Sequence, residues 1–353
     1  MIKQRKKWPS SIGTVIAVGV SLLLLVSPVV KAASLVEGIA YATPSLVHIQ
    51  ITPKVHASSD QPRLRDENTL FVPIGRMSNG SVFGSGVVVS EDGYIFSAEH
   101  LFQDAGQIRV WTADKQQFDA KIVGRDHIQN IVLLKIEANG LPAARVGDSM
   151  RIQLGESIFS AGLLPENLGL AAVVSEGIIS TLNHANASTF LPMIQTSSQL
   201  EPAMGGGGLF NAKGEILGIG AYVYSNKSMS KALSFSVAIN EAMAVLPALK
   251  QFGRVRRSSV GVTIAEVTDQ VVSALNLPDT FGVLVQAVES GGPAEKAGVR
   301  PGDVIVQFGD KLIKRRGDFL RTIRAVEPGA TVLVKSWRRG QIREQPLTTR
   351  ELL

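Results

Sequence analysis

Short β-branched runs broken by turn signals dominate this chain. From residue 84 it reads GSGVVVS, EDGY, IFSA, IRVWTA, DAKIVGRD and NIVLLKI, and a second series of the same kind fills residues 157–237. Strands this short at this spacing predict an all-β sandwich or barrel, and the repetition predicts two β units of similar size. Ahead of them, residues 35–41 read as a short helix and 45–51 as a strand. Residues 52–81 turn polar, with Pro53, Pro62, Arg63, Arg65, Asp66 and Glu67 and no apolar period, which predicts a long surface loop.

The β region closes on a predicted helix at 241–252, with Asn240 as its N-cap, Pro247 as an interruption and Gly253 as its stop. RVRRSS at 254–259 reads as a solvated basic linker. Beyond it, GVLVQAV, DVIVQFG and TVLVKSW mark a separate small unit with helical pieces at 294–297 and 318–325.

At 353 residues the chain is long enough for more than one core. Its net charge of +6 is concentrated in Lys3, Arg5, Lys6, Lys7 and Lys31; without these five it is +1, which removes the general case for nucleic-acid binding. That basic start, the apolar stretch at 12–26 and Ala32 and Ala33 have the layout of a secretory signal, with Val30-Lys31-Ala32 as the recognition triplet. Extended through Pro28 to Val30, the same stretch reaches the length of an uncleaved membrane anchor, and both readings stand. The absence of cysteine excludes disulfides, thiolate metal sites and a cysteine nucleophile. His48, His56, His127 and His184 lack HExxH spacing, and Asp126 beside His127 is the only neighbouring carboxylate, so neither a metal nor another cofactor is expected.

Three stretches carry residue types that could do chemistry. His100 follows the strand IFSA, Asn130 opens the strand IVLLKI, and Gly205, Gly206, Gly207 and Gly208 form a turn inside IQTSSQLEPAMGGGGL, residues 194–209. Taken singly, the histidine is a structural residue, the asparagine a turn former, and the glycine run either an anion cradle or a bland hairpin.

Taken together, GSGVVVSEDGYIFSAEHLF, GRDHIQNIVLLKI and IQTSSQLEPAMGGGGLFNAKGEILGI resemble the histidine, aspartate and serine blocks of the HtrA (Deg) family, and GGPAEKAGVRPGDVIVQFGD resembles the core of its PDZ domain. The resemblance covers roughly residues 34–350. It implies an all-β trypsin-like double β-barrel followed by a small α/β PDZ domain, with a leader at 1–32, a protease-like domain at 33–240, a helix and linker at 241–258 and the PDZ domain at 259–350.

It also implies a Ser–His–Asp triad. Residue by residue, His100 stands at the histidine position, Asn130 at the aspartate position and Gly205 at the serine position. Ala203 and Gly205 occupy the oxyanion-hole positions, where four glycines predict a loosely organised backbone. Asparagine for aspartate predicts the wrong histidine tautomer, a loss of about 10⁴ in turnover, and without a nucleophile no acyl-enzyme forms.

In the PDZ-like unit the resemblance assigns the peptide carboxylate to the loop Ser259, Val260, Gly261 and Val262, with Phe319, Leu320 and Ile323 as pocket or core. The excess of basic residues after position 300 fits either acidic tails or a solvated face. The expected function is that of an exported, proteolytically inactive HtrA homologue that binds peptide C-termini or unfolded segments, as a homotrimer or co-assembled with an active relative. Two alternatives stand beside it: an active serine endopeptidase using Ser197 or Ser198, and a scaffold acting through the PDZ unit alone. Membrane contact follows only from an uncleaved leader.

Overall fold

The computed structural model describes residues 34–54, 71–73, 76–78, 80–164, 171–185, 192–201, 204–224 and 233–352. The leader, residues 55–70 of the polar segment, and Ala203 lie outside them. Ser34 and Glu37 form a capping box that opens α1, Leu35–Ala42. Then come β1 Leu46–Pro53, β2 Phe71–Pro73, β3 Arg76–Ser78, β4 Ser81–Val88, β5 Tyr94–Ala98, β6 Ala105–Thr112, β7 Gln117–Asp126 and β8 Ile131–Ile136. The expected loop at 52–81 is therefore shorter than read from composition: β1 runs to Pro53, and β2 and β3 lie within it.

The first sheet runs β1-β6-β7-β8-β5-β4-β3 and closes through a β1–β4 pairing. Alternation along its strands divides their apolar residues between two cores. Val47, Ile49, Ile95, Val132 and Leu134 fill the barrel, while Leu46, Phe96, Ile131 and Leu133 face outward into the core shared with the second barrel. This is why NIVLLKI is apolar on both faces.

The second sheet takes β9 Ser157–Leu163, β10 Ala172–Ala185, β11 Pro192–Thr196, β12 Gly208–Asn211, β13 Ile216–Tyr224 and β14 Leu233–Ala238. Its order is β12-β9-β10-β11-β14-β13-β2, closed by β12–β13, so β2 from the first half of the chain completes it.

The next helix, α2 Ile239–Phe252, starts earlier than expected and runs through Pro247. Ala238, not Asn240, holds the N-cap position; the Asn240 amide oxygen instead accepts from Ser149 N–H and Oγ at 2.8 and 2.7 Å. Ile239, Ala242, Val245 and Leu249 are buried, and this packing outweighs the proline. Gly253 ends the helix at φ +68°, as its position predicted.

The last unit comprises β15 Ser258–Ser259, β16 Val262–Glu266, α3 Asp269–Leu275, β17 Val283–Val288, α4 Pro293–Lys296, β18 Val304–Phe308, β19 Lys311–Leu312, α5 Arg316–Ala325, β20 Thr331–Arg338, β21 Gln341–Thr348 and β22 Arg350–Glu351. Its main sheet runs β16-β17-β18-β20-β21, which leaves β16 at an edge, and β15 pairs with β22. The helix α3, capped by the Thr268 side chain, is an element beyond those the sequence pattern marks.

Candidate functional site

β5 delivers its last residue, Ala98, opposite Ile131 of β8. A 3₁₀ turn, Glu99–Phe102, follows, with Leu101 and Phe102 buried beneath it and His100 half-buried on top. Asn130 immediately precedes Ile131, so the same strand pairing brings it to His100. It adopts φ +54°, a left-handed conformation that asparagine tolerates better than most residues, and its carbonyl accepts the Glu99 N–H at 3.1 Å.

The Asn130 Oδ1 accepts the backbone N–H of His100 at 2.9 Å and lies 3.0 Å from His100 Nδ1. A backbone N–H can only donate, so the amide must turn its oxygen toward His100, and Nδ1 must then carry the proton. The expected wrong tautomer is corrected: Asn130 holds the Nδ1–H form, the one a triad aspartate would select. Asparagine does not supply the negative charge that would stabilise an imidazolium. Its other arm fits less well, since the buried Nδ2 has no hydrogen-bond partner among the described residues.

The turn carrying Asn130 is held from below. Asp126 Oδ1 accepts the N–H groups of Ile128 and Gln129 at 3.2 and 3.1 Å, and the Arg257 guanidinium grips both Asp126 oxygens at 2.6 and 2.5 Å. Both side chains are buried, so the solvated-linker reading of 254–259 fails at Arg257, while Arg254 and Arg256 are exposed and pair with Glu351 at 3.2 and 3.4 Å. Nor is Asp126 the partner of His127: the His127 Nδ1 lies 2.9 Å from buried Glu99, which also accepts Arg125 at 3.0 Å.

The glycine turn is close-packed rather than loose. The Gly205 carbonyl accepts the Ser85 N–H at 2.7 Å, while the N–H groups of Gly206 and Gly207 go to Gly220 O and Met204 O at 2.9 and 2.8 Å. Gly206 has φ +78°, and a Cβ there would collide with Ser97 Oγ and come within 2.8 Å of Ala98 N. At Gly207 it would strike Ala161 O, and at Gly208 the Phe210 ring, which stacks on Phe159 at 5.3 Å. The anion-cradle reading loses the Gly206 and Gly207 donors, and the expectation of a loose backbone is corrected for residues 204–208; Ala203, the other oxyanion position, lies outside the described residues.

The two upstream serines make other contacts. Ser197 Oγ accepts the Ile178 N–H at 2.9 Å, and Ser198 Oγ lies in a buried hydroxyl chain with Ser160 at 2.8 Å and Thr196 at 2.9 Å. Among the described residues no three His, Cys, Asp or Glu side chains form a group that could hold a metal ion.

In the last unit, Ser259, Val260, Gly261 and Val262 form the loop that enters the edge strand β16. The Val260 and Gly261 carbonyls are both taken, by Ala294 N–H and Glu289 N–H at 2.9 Å, and Gly261 sits at φ +71°. Of the two readings for Phe319 and Ile323, the structure supports core: both are buried with Val260, and Phe319 packs edge-on against Phe308 at 5.7 Å. Leu320 is half-buried on the same helix, α5.

The trypsin-like peptidase domain family matches residues 84–219, and the PDZ domain family residues 255–348. A probable periplasmic serine endoprotease DegP-like from Marinomonas sp. is 31% identical over 91% of this chain and 73% of its own length. The chain belongs to the HtrA/Deg family.

A second relative of the same description, from Hahella chejuensis, is 34% identical over 73% of the chain and 54% of its own length. The chain spans about half the length of several of the curated relatives it matches. Among solved structures, the HtrA-type protease AlgW with decapeptide aligns at a TM-score of 0.76, 25% identity and 91% coverage of this chain, with 99% of that chain covered. The serine endoprotease from Yersinia pestis aligns at 0.69 and 26% identity, with coverages of 91% and 99%.

This HtrA/Deg chain thus has the trypsin-like double barrel followed by a PDZ domain. Sequence reasoning missed two supports of its site, Glu99 and Arg257. The only signal for either was position: Glu99 adjoins His100, and Arg257 immediately precedes the PDZ unit.

Proposed function

We propose that this HtrA/Deg protein is an exported, periplasmic binder of peptides or unfolded segments that does not cleave them through an acyl-enzyme. The observation that carries the reading is at residue 205, where the family's serine block places a nucleophile and this chain has a glycine. The fold around that position is supported: the turn is pinned through Ser85 and Gly220, and Asn130 holds His100 in its base tautomer. Covalent catalysis lacks its attacking oxygen and the carboxylate charge behind His100, and Ser197 and Ser198 are engaged elsewhere.

Binding does not need that oxygen. The PDZ edge strand and its loop provide for strand addition, and the relative AlgW is described with a decapeptide and with a tripeptide. The periplasmic location rests on the basic, apolar leader and on relatives named as periplasmic. Assembly with itself or with an active relative completes the proposal. In the proposed triad, His100 is the retained base, Asn130 stands for the acid, Gly205 for the nucleophile, and Ala203 with Gly205 for the oxyanion donors.

The test is fluorophosphonate labelling with an active HtrA protease alongside, combined with turnover of an unfolded protein. The expected result is no adduct on this chain and retained binding of the unfolded substrate. A stoichiometric adduct on any serine overturns the reading.

A further inference from the structure

Resting on the peptide-binding reading above, we infer that the PDZ slot selects peptides with an apolar C-terminal residue and a carboxylate side chain two or four positions before it. The slot lies between the edge strand β16 and helix α5. Its loop end rests on the apolar core: Val260 and Ile323 are buried in that core, and half-buried Val262 packs against it. The charges beside this loop, Glu289 and Arg350, are paired with each other at 2.6 and 2.5 Å.

The far end is different. The segment Lys314, Arg315, Arg316 leads directly into α5, and Arg321 follows one turn later. Lys314, Arg315 and Arg321 are exposed. The carboxylates here, Glu266 and Asp318, already serve the backbone. Glu266 accepts the Arg316 N–H at 3.3 and 3.4 Å, and Asp318 accepts the N–H groups of Lys314 and Arg315 at 3.2 and 3.0 Å while also holding Arg321 at 2.5 Å. This stretch carries four cations against Glu266 and Asp318; Arg321 is paired with Asp318 and Lys314 Nζ lies 5.6 Å from the Phe281 ring centre, so the local excess is positive, with Arg315 exposed at its middle.

Geometry sets the position of the acid. A peptide whose terminal carboxylate sits at residues 259–262 runs antiparallel to β16, with alternate side chains entering the slot. At about 3.3 Å per residue, the third and fifth residues from the end lie about 7 and 13 Å along the strand, the second of these near Glu266 and the start of α5. Carboxylates at these positions meet the cationic end.

The test uses the full chain and three fluorescent peptides ending in Val: one with Asp at the third and fifth positions from the end, one with Ala there, and one with Lys. The expected order is Asp, then Ala, then Lys, with about tenfold between the first two at low salt, a gap that closes as salt rises. Arg315→Glu, an exposed change, narrows the gap, and Arg315→Glu with Arg316→Glu reverses the order. Equal affinities for all three peptides at low salt overturn the selectivity while leaving the slot intact. If even the Ala peptide fails to bind folded protein, the peptide-binding reading fails with it.

Discussion

Asn130 Oδ1 accepts the backbone N–H of His100 at 2.9 Å and stands 3.0 Å from its Nδ1, so one amide oxygen fixes both the position of the ring and its tautomer. Nitrogen-detected NMR near pH 8 is expected to show His100 as the neutral Nδ1–H form. In Asn130→Ala the Nδ1 proton loses that acceptor and the two tautomers mix. An Nε2–H form in the unsubstituted protein would contradict the hydrogen-bond direction argued from the backbone donor.

Because the tautomer is already correct, Gly205→Ser alone is expected to restore measurable labelling by a fluorophosphonate. Adding Asn130→Asp raises turnover further, since a carboxylate also stabilises the imidazolium. The increment is expected to fall short of the about 10⁴ that an incorrect tautomer costs. Comparing kcat/KM for the single and double variants on one peptide substrate checks the order. A silent single variant with a fully active double would return the tautomer to the centre of the defect.

The glycine run predicts a stability contrast. Gly206→Ala combines φ +78° with a collision against Ser97 and the Ser85 carbonyl, whereas Gly140→Ala has φ +69° and nothing within 4 Å. The first should cost at least about 3 kcal/mol and the second only about 1 kcal/mol, from the left-handed backbone alone. Urea denaturation of the two variants separates close packing from backbone strain.

The barrels were legible because their signal is local: β-branched runs and turn residues recur whatever the chain packs against. The site was legible only as an address. That His100, Asn130 and Gly205 belong together came from resemblance, whereas the direction of the Asn130 amide depends on a backbone N–H that one-dimensional spacing does not reveal. The same limit explains Arg257. A basic run is usually solvated, and only the fold shows that its partner, Asp126, lies 131 residues away in sequence. Pro247 failed as a helix breaker for the complementary reason, since tertiary burial outweighed a local preference.

The buried pair of Asp126 and Arg257 yields a prediction about the turn that carries Asn130. Arg257→Ala leaves Asp126 buried without its counter-charge and should destabilise the protein by about 3–5 kcal/mol. Arg257→Lys keeps the charge but loses the two-pronged grip, and should recover part of that loss. Thermal unfolding of both variants measures it. If Arg257→Ala has no effect, the pair is not a structural support of the turn.

His48 predicts how stability responds to acid. Its ring lies between Phe83 at 5.7 Å and Trp111 at 5.6 Å, and its buried Nδ1 has no hydrogen-bond partner among the described residues. Burial pushes the imidazole down from 6.5 to about 4, against backbone hydrogen bonds at Leu163 and Gly84 that favour the charged form. Above pH 6.5 both folded and unfolded chains carry a neutral ring, and His48 adds no pH dependence. Below it the unfolded chain takes up a proton that the folded chain refuses until about pH 4. Stability therefore falls across that window, by about 3 kcal/mol in total, and levels off beneath it. The neighbour of His48 across the strands is Ser85, whose N–H pins Gly205, so the same acidification should loosen the glycine turn. Denaturation from pH 7 to 4 should show this loss in the parent protein and a flatter profile in His48→Gln. Parallel profiles would mean that other groups govern the acid response.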